Sequence, residues 1–281
     1  MSLDVKIYQK ENSISLKKQL KACFKDVKGS LFLAKQLAKR DIKAQYRQSF
    51  LGIAWLFITP IVTSLVWILL SATGTVKLTD TGMPYPLYVF TGTLIWSIIV
   101  EAINTPMQVT NASKSIMSKI NFPKEGLLLS GIYKMLFNST VKILLLVVFL
   151  MIYRVGFHVS MLVFPFVLLG AVLFGTALGL LITPIGMLYS DINKIVALGL
   201  RFLMYATPVV YIIPKEGIMK TIMEFNPITP IVLTARDVLV GFEPQYLSYF
   251  LIVIGISVPL LIAGLLLYRF SIPIIVERIS G

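Results

Sequence analysis

Six apolar stretches, each long enough to cross a bilayer as a helix, alternate along this chain with short polar connections. About 20 apolar residues at 1.5 Å each cover the roughly 30 Å hydrocarbon core. The pattern predicts membrane helices over 51–71, 86–108, 130–153, 161–187, 195–213 and 247–268. Ahead of the first, 29–47 reads differently: Lys35, Lys39, Lys43 and Arg47 recur on one face, while Leu31, Ala34, Ala38 and Ile42 line another. That is the pattern of an interfacial amphipathic helix, though a solvated basic helix would look similar. The stretch 214–245 is long for a connection and too polar to cross. Ile218, Met219, Ile222 and Met223, then Asn226-Pro227, then Ile231 to Val240, predict two short helices around a break. The expected fold class is therefore an all-α integral membrane protein of six transmembrane helices. An N-terminal amphipathic interface helix and short external reentrant helices between the fifth and sixth spans complete it.

Charge adds the orientation. The 281 residues are 57% hydrophobic and only 14% charged, too apolar for a soluble domain of this length. The net charge of +13 would suit nucleic acid, but the basic residues flank spans rather than forming a patch on a soluble face, so no nucleic-acid partner is expected. Twelve Lys/Arg lie in 1–47, joined on the same side by Lys114, Lys119, Lys124, Lys194, Arg201, Arg269 and Arg278. The opposite side holds Lys77, Arg154, Lys215, Lys220 and Arg236. Basic residues concentrate in cytoplasmic loops, so both termini are expected inside a bacterial inner membrane. Lys134 and Lys142 fall within the third helix, where the first is expected to snorkel to the interface. The expected organisation is a cytoplasmic segment 1–50, a transmembrane domain 51–268 with inside loops 109–125 and 187–194, and a cytoplasmic tail 269–281. The lone Cys23 excludes an intrachain disulfide framework, and the first 28 residues lack a signal-peptide core.

Catalytic chemistry is sparse. His158 is the only histidine, so neither a metal nor an acid–base cluster can be built on histidine. The nearest approach to a phosphate-binding loop, Gly126 to Gly131, is followed by Ile132 and Tyr133 where Lys and Ser/Thr are needed. The chain is therefore expected to bind no nucleotide or other cofactor itself. Ser97, Glu101, Asn104 and Gln108 share a face of the second helix. A carboxylate at that depth must face protein or water and is a functional candidate. The alternative is that Glu101 pairs with a lysine such as Lys142 or reaches the interface. Gly52, Trp55, Thr59, Thr63 and Trp67 share a face of the first helix, and Arg201, Tyr205 and Pro208 form a stripe ending near Tyr211 in the fifth. Aromatic rings stack on sugars and threonines hydrogen-bond, so these stripes suit a glycan path. Helix packing with tryptophan anchors is the competing reading. Ala171, Gly175, Gly179 and Thr183 predict close helix packing, within or between subunits.

Several runs, in order, resemble the permeases of type-2 ATP-binding-cassette exporters, above all the polysaccharide and polyol phosphate (O-antigen, capsule, teichoic acid) group. Arg40 to Trp55 with Pro60 resembles that family's opening; Tyr85-Pro86-Leu87-Tyr88 and Gly92 to Trp96 resemble its second helix. Lys119-Ile120-Asn121-Phe122-Pro123-Lys124 resembles its cytoplasmic loop, and Tyr189-Ser190-Asp191-Ile192 the element after its fourth helix, with Ser190 replacing the usual arginine. Asn226-Pro227-Ile228-Thr229-Pro230 with Arg236-Asp237 resembles its external segment.

The resemblance implies a homodimer with two separate ATPase subunits, which bind ATP and Mg. On that basis Arg40, Asp41, Tyr46, Asn121, Phe122, Pro123, Tyr189 and Asp191 are the candidates for coupling to the ATPase. Proline stiffens the 121–123 knob, and Asp191 either meets the partner or caps the following helix. Trp55, Thr59, Thr63, Trp67, Trp96, Tyr205 and Tyr211 are the candidates for a substrate channel. The function expected is ATP-driven export of a lipid-linked polysaccharide, with membrane lipids around the subunit. The alternative in the same family is export of a drug, antibiotic or simple lipid. A membrane-embedded glycan-modifying enzyme would need a cluster of acidic or histidine residues, which Glu101 and Asp191 do not make. A lone ion-coupled carrier would need more midplane charges.

Overall fold

The computed structural model describes residues 16–47, 49–74, 81–117, 119 and 122–280, with side chains from 19 to 277. Asn121 and Lys77, and the side chain of Arg278, lie outside the described residues. The helices are α1 (Leu16–Gly29), α2 (Leu31–Arg47), α3 (Trp55–Ala72), α4 (Tyr85–Ala112), α5 (Lys114–Met117), α6 (Glu125–Ile152), α7 (Phe164–Leu188), α8 (Asp191–Tyr205), α9 (Ile218–Phe225), α10 (Thr229–Val240) and α11 (Leu247–Ser280). Short 3-10 turns, Gly52–Ala54 and Val159–Val163, lead into α3 and α7. No strand occurs among the described residues. Local chemistry sets many of the ends. Proline stands in the first turn of α4, α7 and α10, where its missing N–H costs nothing. At the end of α6, Arg154 N–H bonds Met151 O and Val155 N–H bonds Leu150 O, a Schellman closure. It forces the non-glycine Arg154 to φ 52°.

Five helical segments are long and apolar enough to cross a membrane: Gly52–Ala72, Tyr85–Ala112, Glu125–Ile152, Val159–Leu188 and Leu247–Glu277. The predicted fifth span, 195–213, differs. Its helix runs only from Asp191 to Tyr205, and residues 206–217 leave the helix. Pro208 explains the stop: it has no N–H to give and its ring collides with the carbonyl four residues back. The segment still travels the length of α4. Ile192 lies beside the Gly186–Met107 contact, whereas Val209 touches Gly92. The predicted tail also differs, because α11 continues without interruption to Ser280.

The centre of the molecule is α4, whose positions 87–99 are almost all buried. α7 runs parallel to it at very short range. A Cβ on Gly175 would stand 2.6 Å from the Ala102 Cβ, and one on Gly179 would stand 2.3 Å from Ile103 O. The small-residue face read from the sequence thus serves packing within one chain. α11 closes on the other side of α7, where a Cβ on Gly264 would meet the Leu180 Cβ at 2.9 Å, and Tyr268 OH hydrogen-bonds Thr110 Oγ1 at 2.9 Å. α2 lies against α6 through Ala34 and Ala38, with Leu37 packed on a second core that includes Leu127, Leu128 and Ile272. Leu31, expected on the apolar face, is exposed instead.

α3 and α8 stand apart. In α3 only Ser64 is buried, against Thr93 of α4 at 3.2 Å, and α8 buries no residue fully. α9 and α10 flank the Asn226-Pro227 break, and α10 is buried between α4 and α7 at the end of the bundle opposite α2.

Candidate functional site

Three polar constructions stand out in an otherwise apolar body. The first fills the α10 end. Arg236 is 2% exposed, and its guanidinium lies 3.5 Å over the Tyr88 ring. Nη1 donates to Pro208 O at 2.6 Å, Nη2 to Val209 O, and Nε to Tyr88 O at 3.2 Å. Tyr85 OH donates to Val210 O (3.1 Å), and Tyr88 OH to Tyr211 O (3.0 Å). Asn226 Nδ2 donates to Ala206 O at 2.9 Å, and Val209 N–H to Thr207 O at 2.7 Å. Every carbonyl from 206 to 211 thus has a donor. Non-helical backbone away from water needs that, because each orphan costs several kcal/mol. Gly92 makes it possible, since a Cβ there would stand 2.0 Å from Val209 O. A cavity of about 370 Å³ opens beside Arg236 and Asp237. Burial raises the Asp237 carboxyl above its ordinary range, opposed by the Gln245 N–H and by Arg236.

The second construction ties the α2 end together. Arg269 of α11 donates from Nη1 to Glu125 Oε1 at 2.5 Å and from Nη2 to Asp26 Oδ2 at 2.6 Å. Three helices, α1, α6 and α11, therefore meet on one guanidinium. Cys23 is buried beside it. Burial pushes its thiol above the usual range, Glu125 adds to the rise, and Arg269 opposes it.

The third lies between α3, α4 and α6. Lys142 Nζ meets Glu101 Oε2 at 2.9 Å, and Asn138 Nδ2 donates to Glu101 Oε1 at 2.6 Å. Lysine pairing, one of the two readings of Glu101, is what the fold shows. The trio walls a pocket of about 240 Å³ whose other side carries Trp55, Thr59 and Thr63 of α3.

The remaining sequence candidates are scattered. Trp67 is half-buried and packs on the main core, and Trp96 is 8% exposed within it. Trp96 therefore faces no open path, because the helical face it shares with Ile99 and Ile103 turns inward. Tyr205 is exposed on α8, and its carbonyl accepts from Tyr211 OH. Arg40 pairs with its neighbour Asp41 at 2.8 Å, and Tyr46 OH accepts from Gln45 at 3.1 Å. Phe122 packs against the second core while Pro123 is exposed, so the loop is pinned by one and displayed by the other. Tyr189 and Asp191 are exposed where α7 hands over to α8. Asp191 opens α8 and meets Lys194 at 3.4 Å; no side-chain cap forms there, so the capping alternative gives way to a charge in the first turn.

Sequence reasoning missed what Arg236, Asn138 and Arg269 do. Arg236 was counted as an external charge, yet it is interior. An arginine set among Ile231, Val232, Leu233 and Val238 was the available signal, since a charge in an apolar helix needs partners.

The ABC-2 type transporter family description matches residues 33–240, most of the chain. The chain belongs to the ABC-2 type transporter family. With its five apolar helices, this ABC-2 permease is a multi-pass membrane protein. It is 27% identical over 205 residues to the O-antigen export system permease protein RfbA of Myxococcus xanthus, covering 72% of this chain and 78% of that protein. Two proteins of that name from Klebsiella pneumoniae are 25% and 24% identical, each match covering 84% of this permease and 92% of the relative.

Proposed function

We propose that this permease is the membrane subunit of an ATP-driven exporter that moves a lipid-linked polysaccharide, of O-antigen, capsule or teichoic acid type, across the cytoplasmic membrane. The observation that carries the reading is the similarity to three O-antigen export permeases over 72% to 84% of this chain. Two copies of the chain assemble with two separate ATPase subunits, which bind ATP and Mg.

The geometry supports this assembly. α3 is apolar and crosses, yet buries only Ser64, so it leaves a face for a second copy and for lipid. α8 with residues 206–211 serves as the fifth crossing, since it runs from the level of Met107 to that of Gly92 on α4. Six crossings put α2 and the end of α11 on one side, the side of positive-charge excess, which is the cytoplasm. α9 and α10 then dip in from outside. Phe122-Pro123 and Tyr189 to Asp191 project at the inner face, with α2 and its Arg40, Asp41 and Tyr46 alongside, where an ATPase would push. Trp55, Thr59, Thr63 and Tyr205 face the path between copies.

Reconstitution with a cognate ATPase tests the scheme. The pair should hydrolyse ATP and export glycan, while the permease alone should hydrolyse none; robust hydrolysis by the permease alone would sink the reading. Changing Trp55 and Tyr205 to alanine should impair glycan export and spare assembly. Unchanged glycan export would remove the channel assignment, and transport of a drug instead would favour the other branch of the family.

A further inference from the structure

The pocket between α3, α4 and α6 is short of hydrogen-bond donors. Asn138 is 8% exposed, its Nδ2 is spent on Glu101, and its Oδ1 has no partner among the described residues. Thr63 and Ser97 have given their hydroxyl protons to Thr59 O and Leu94 O, which leaves oxygen lone pairs facing outward. Glu101 accepts two bonds where a carboxylate offers about four sites. An acyl chain here would leave the open acceptor sites of Glu101 unanswered, and a phosphate brings only acceptors. What matches is a group rich in O–H donors. The half-exposed indole of Trp55, at the same pocket, adds an apolar plane that suits the C–H face of a ring.

A second cavity, about 490 Å³, shares Glu101 as a wall and lies under α2. It is lined by Arg40, Gln108 and Lys134 among others, and Lys134 has no acidic partner among the described residues. Asp41 and Glu101 also line it and Arg40 is paired with Asp41, so among the described residues Lys134 is the one cation there left to meet an anionic linkage when a hydroxylated head fills the first cavity.

We propose that the pocket formed by Trp55, Glu101, Asn138 and Lys142 is a docking site for the sugar ring of a lipid-linked glycan, with the linkage to the lipid lying beside Lys134. The inference rests on the exporter reading above and names where its substrate first engages. The lipid tail stays in the bilayer while the ring's hydroxyls donate to Glu101 and accept from Lys142.

The test uses the full permease–ATPase complex in lipid nanodiscs and two probes with the same tail, octyl glucoside and octyl tetraoxyethylene, below solubilising concentrations. The fluorescence difference between the wild-type and Trp55→Phe complexes isolates Trp55. A saturable change with the glucoside and none with the ethoxylate is expected. Asn138→Leu keeps the shape but takes away the Nδ2 donor that positions Glu101, leaving Lys142 to hold it, so it should weaken glucoside binding about tenfold while the melting temperature falls only slightly. The paired Glu101→Gln/Lys142→Met change should weaken it similarly. Equal curves for the two probes, or unchanged binding by Asn138→Leu, would overturn the site, since simple partition or a trapped water would then suffice. Glycan export separates the two levels. Wild-type export rates in Asn138→Leu would reject the pocket and leave the exporter standing. Saturable glucoside binding by a complex that exports no glycan would keep the pocket and reject the exporter.

Discussion

Arg236→Met removes the donor that holds the irregular stretch after α8. In the wild type, Pro208 O and Val209 O each receive a guanidinium N–H, and the same group lies 3.5 Å over the Tyr88 ring. Tyr88 O, the third acceptor, also belongs to the hydrogen-bond ladder of α4, so two carbonyls are at stake. Each buried orphan costs about 1–3 kcal/mol, and a desolvated cation over an aromatic ring contributes about 2 kcal/mol. Against this, methionine avoids the desolvation of a buried guanidinium. The balance is a loss of about 3–5 kcal/mol. Arg236→Lys keeps the charge but replaces a flat fork with a point donor, so one carbonyl and the stack are lost with no relief of desolvation, about 3–5 kcal/mol. At about 2–4 °C per kcal/mol for a chain of this size, the methionine variant should melt about 10 °C lower. Intrinsic fluorescence in nanodiscs reads the transition, because Trp96 lies one turn beyond Gly92 on α4. If both variants melt within about 2 °C of wild type, the capping account is wrong.

Other outcomes follow from individual contacts. Gly179→Ala should destabilise by about 1–3 kcal/mol, because its Cβ would stand 2.3 Å from Ile103 O, whereas Gly255→Ala meets nothing and should be near neutral; thermal melts of the two distinguish them. Arg154→Gly should stabilise by about 1 kcal/mol, since φ 52° strains any side chain there, and an unchanged melting temperature would deny that strain. Cys23, its thiol raised above the usual range by burial, should react with a maleimide faster as pH rises and keep gaining at pH values where an exposed thiol has already levelled off, because its thiolate fraction is still climbing there. Arg269→Gln releases Asp26 and Glu125 but also removes the cation that favours the Cys23 thiolate, so labelling should speed about tenfold only once compared on the high-pH plateau of each protein, and equal plateau rates would show that α1 is held by other contacts.

The long apolar runs, the helix ahead of the first of them and the break at Asn226-Pro227 were legible because each depends on periodicity or on one residue's backbone chemistry. The small face of α7 was legible for the same reason, though its partner was not. The fifth predicted span was misjudged. Hydropathy saw 195–213 as a continuous helix and could not weigh Pro208, since the donors that make a broken backbone tolerable come from 85, 88, 226 and 236.

Among the channel candidates, Trp55, Thr59 and Thr63 share a pocket, but Trp96 turned out to be core. Identity placed them all on helices, and only packing decided which face was closed. Glu101 is the sharpest case. Its helical spacing showed that a carboxylate sat in the membrane, and membrane energetics required a partner. The sequence by itself determined five apolar spans, the uneven distribution of positive charge along the chain and the family resemblance, all of which follow from local composition and spacing. Only the tertiary structure decided that Lys142 and Asn138 answer Glu101, that Arg236 holds the end of the fifth predicted span, and that Arg269 ties three helices. Those bonds join residues 27 to 243 positions apart, and no local pattern records which distant groups a fold will bring within hydrogen-bond reach.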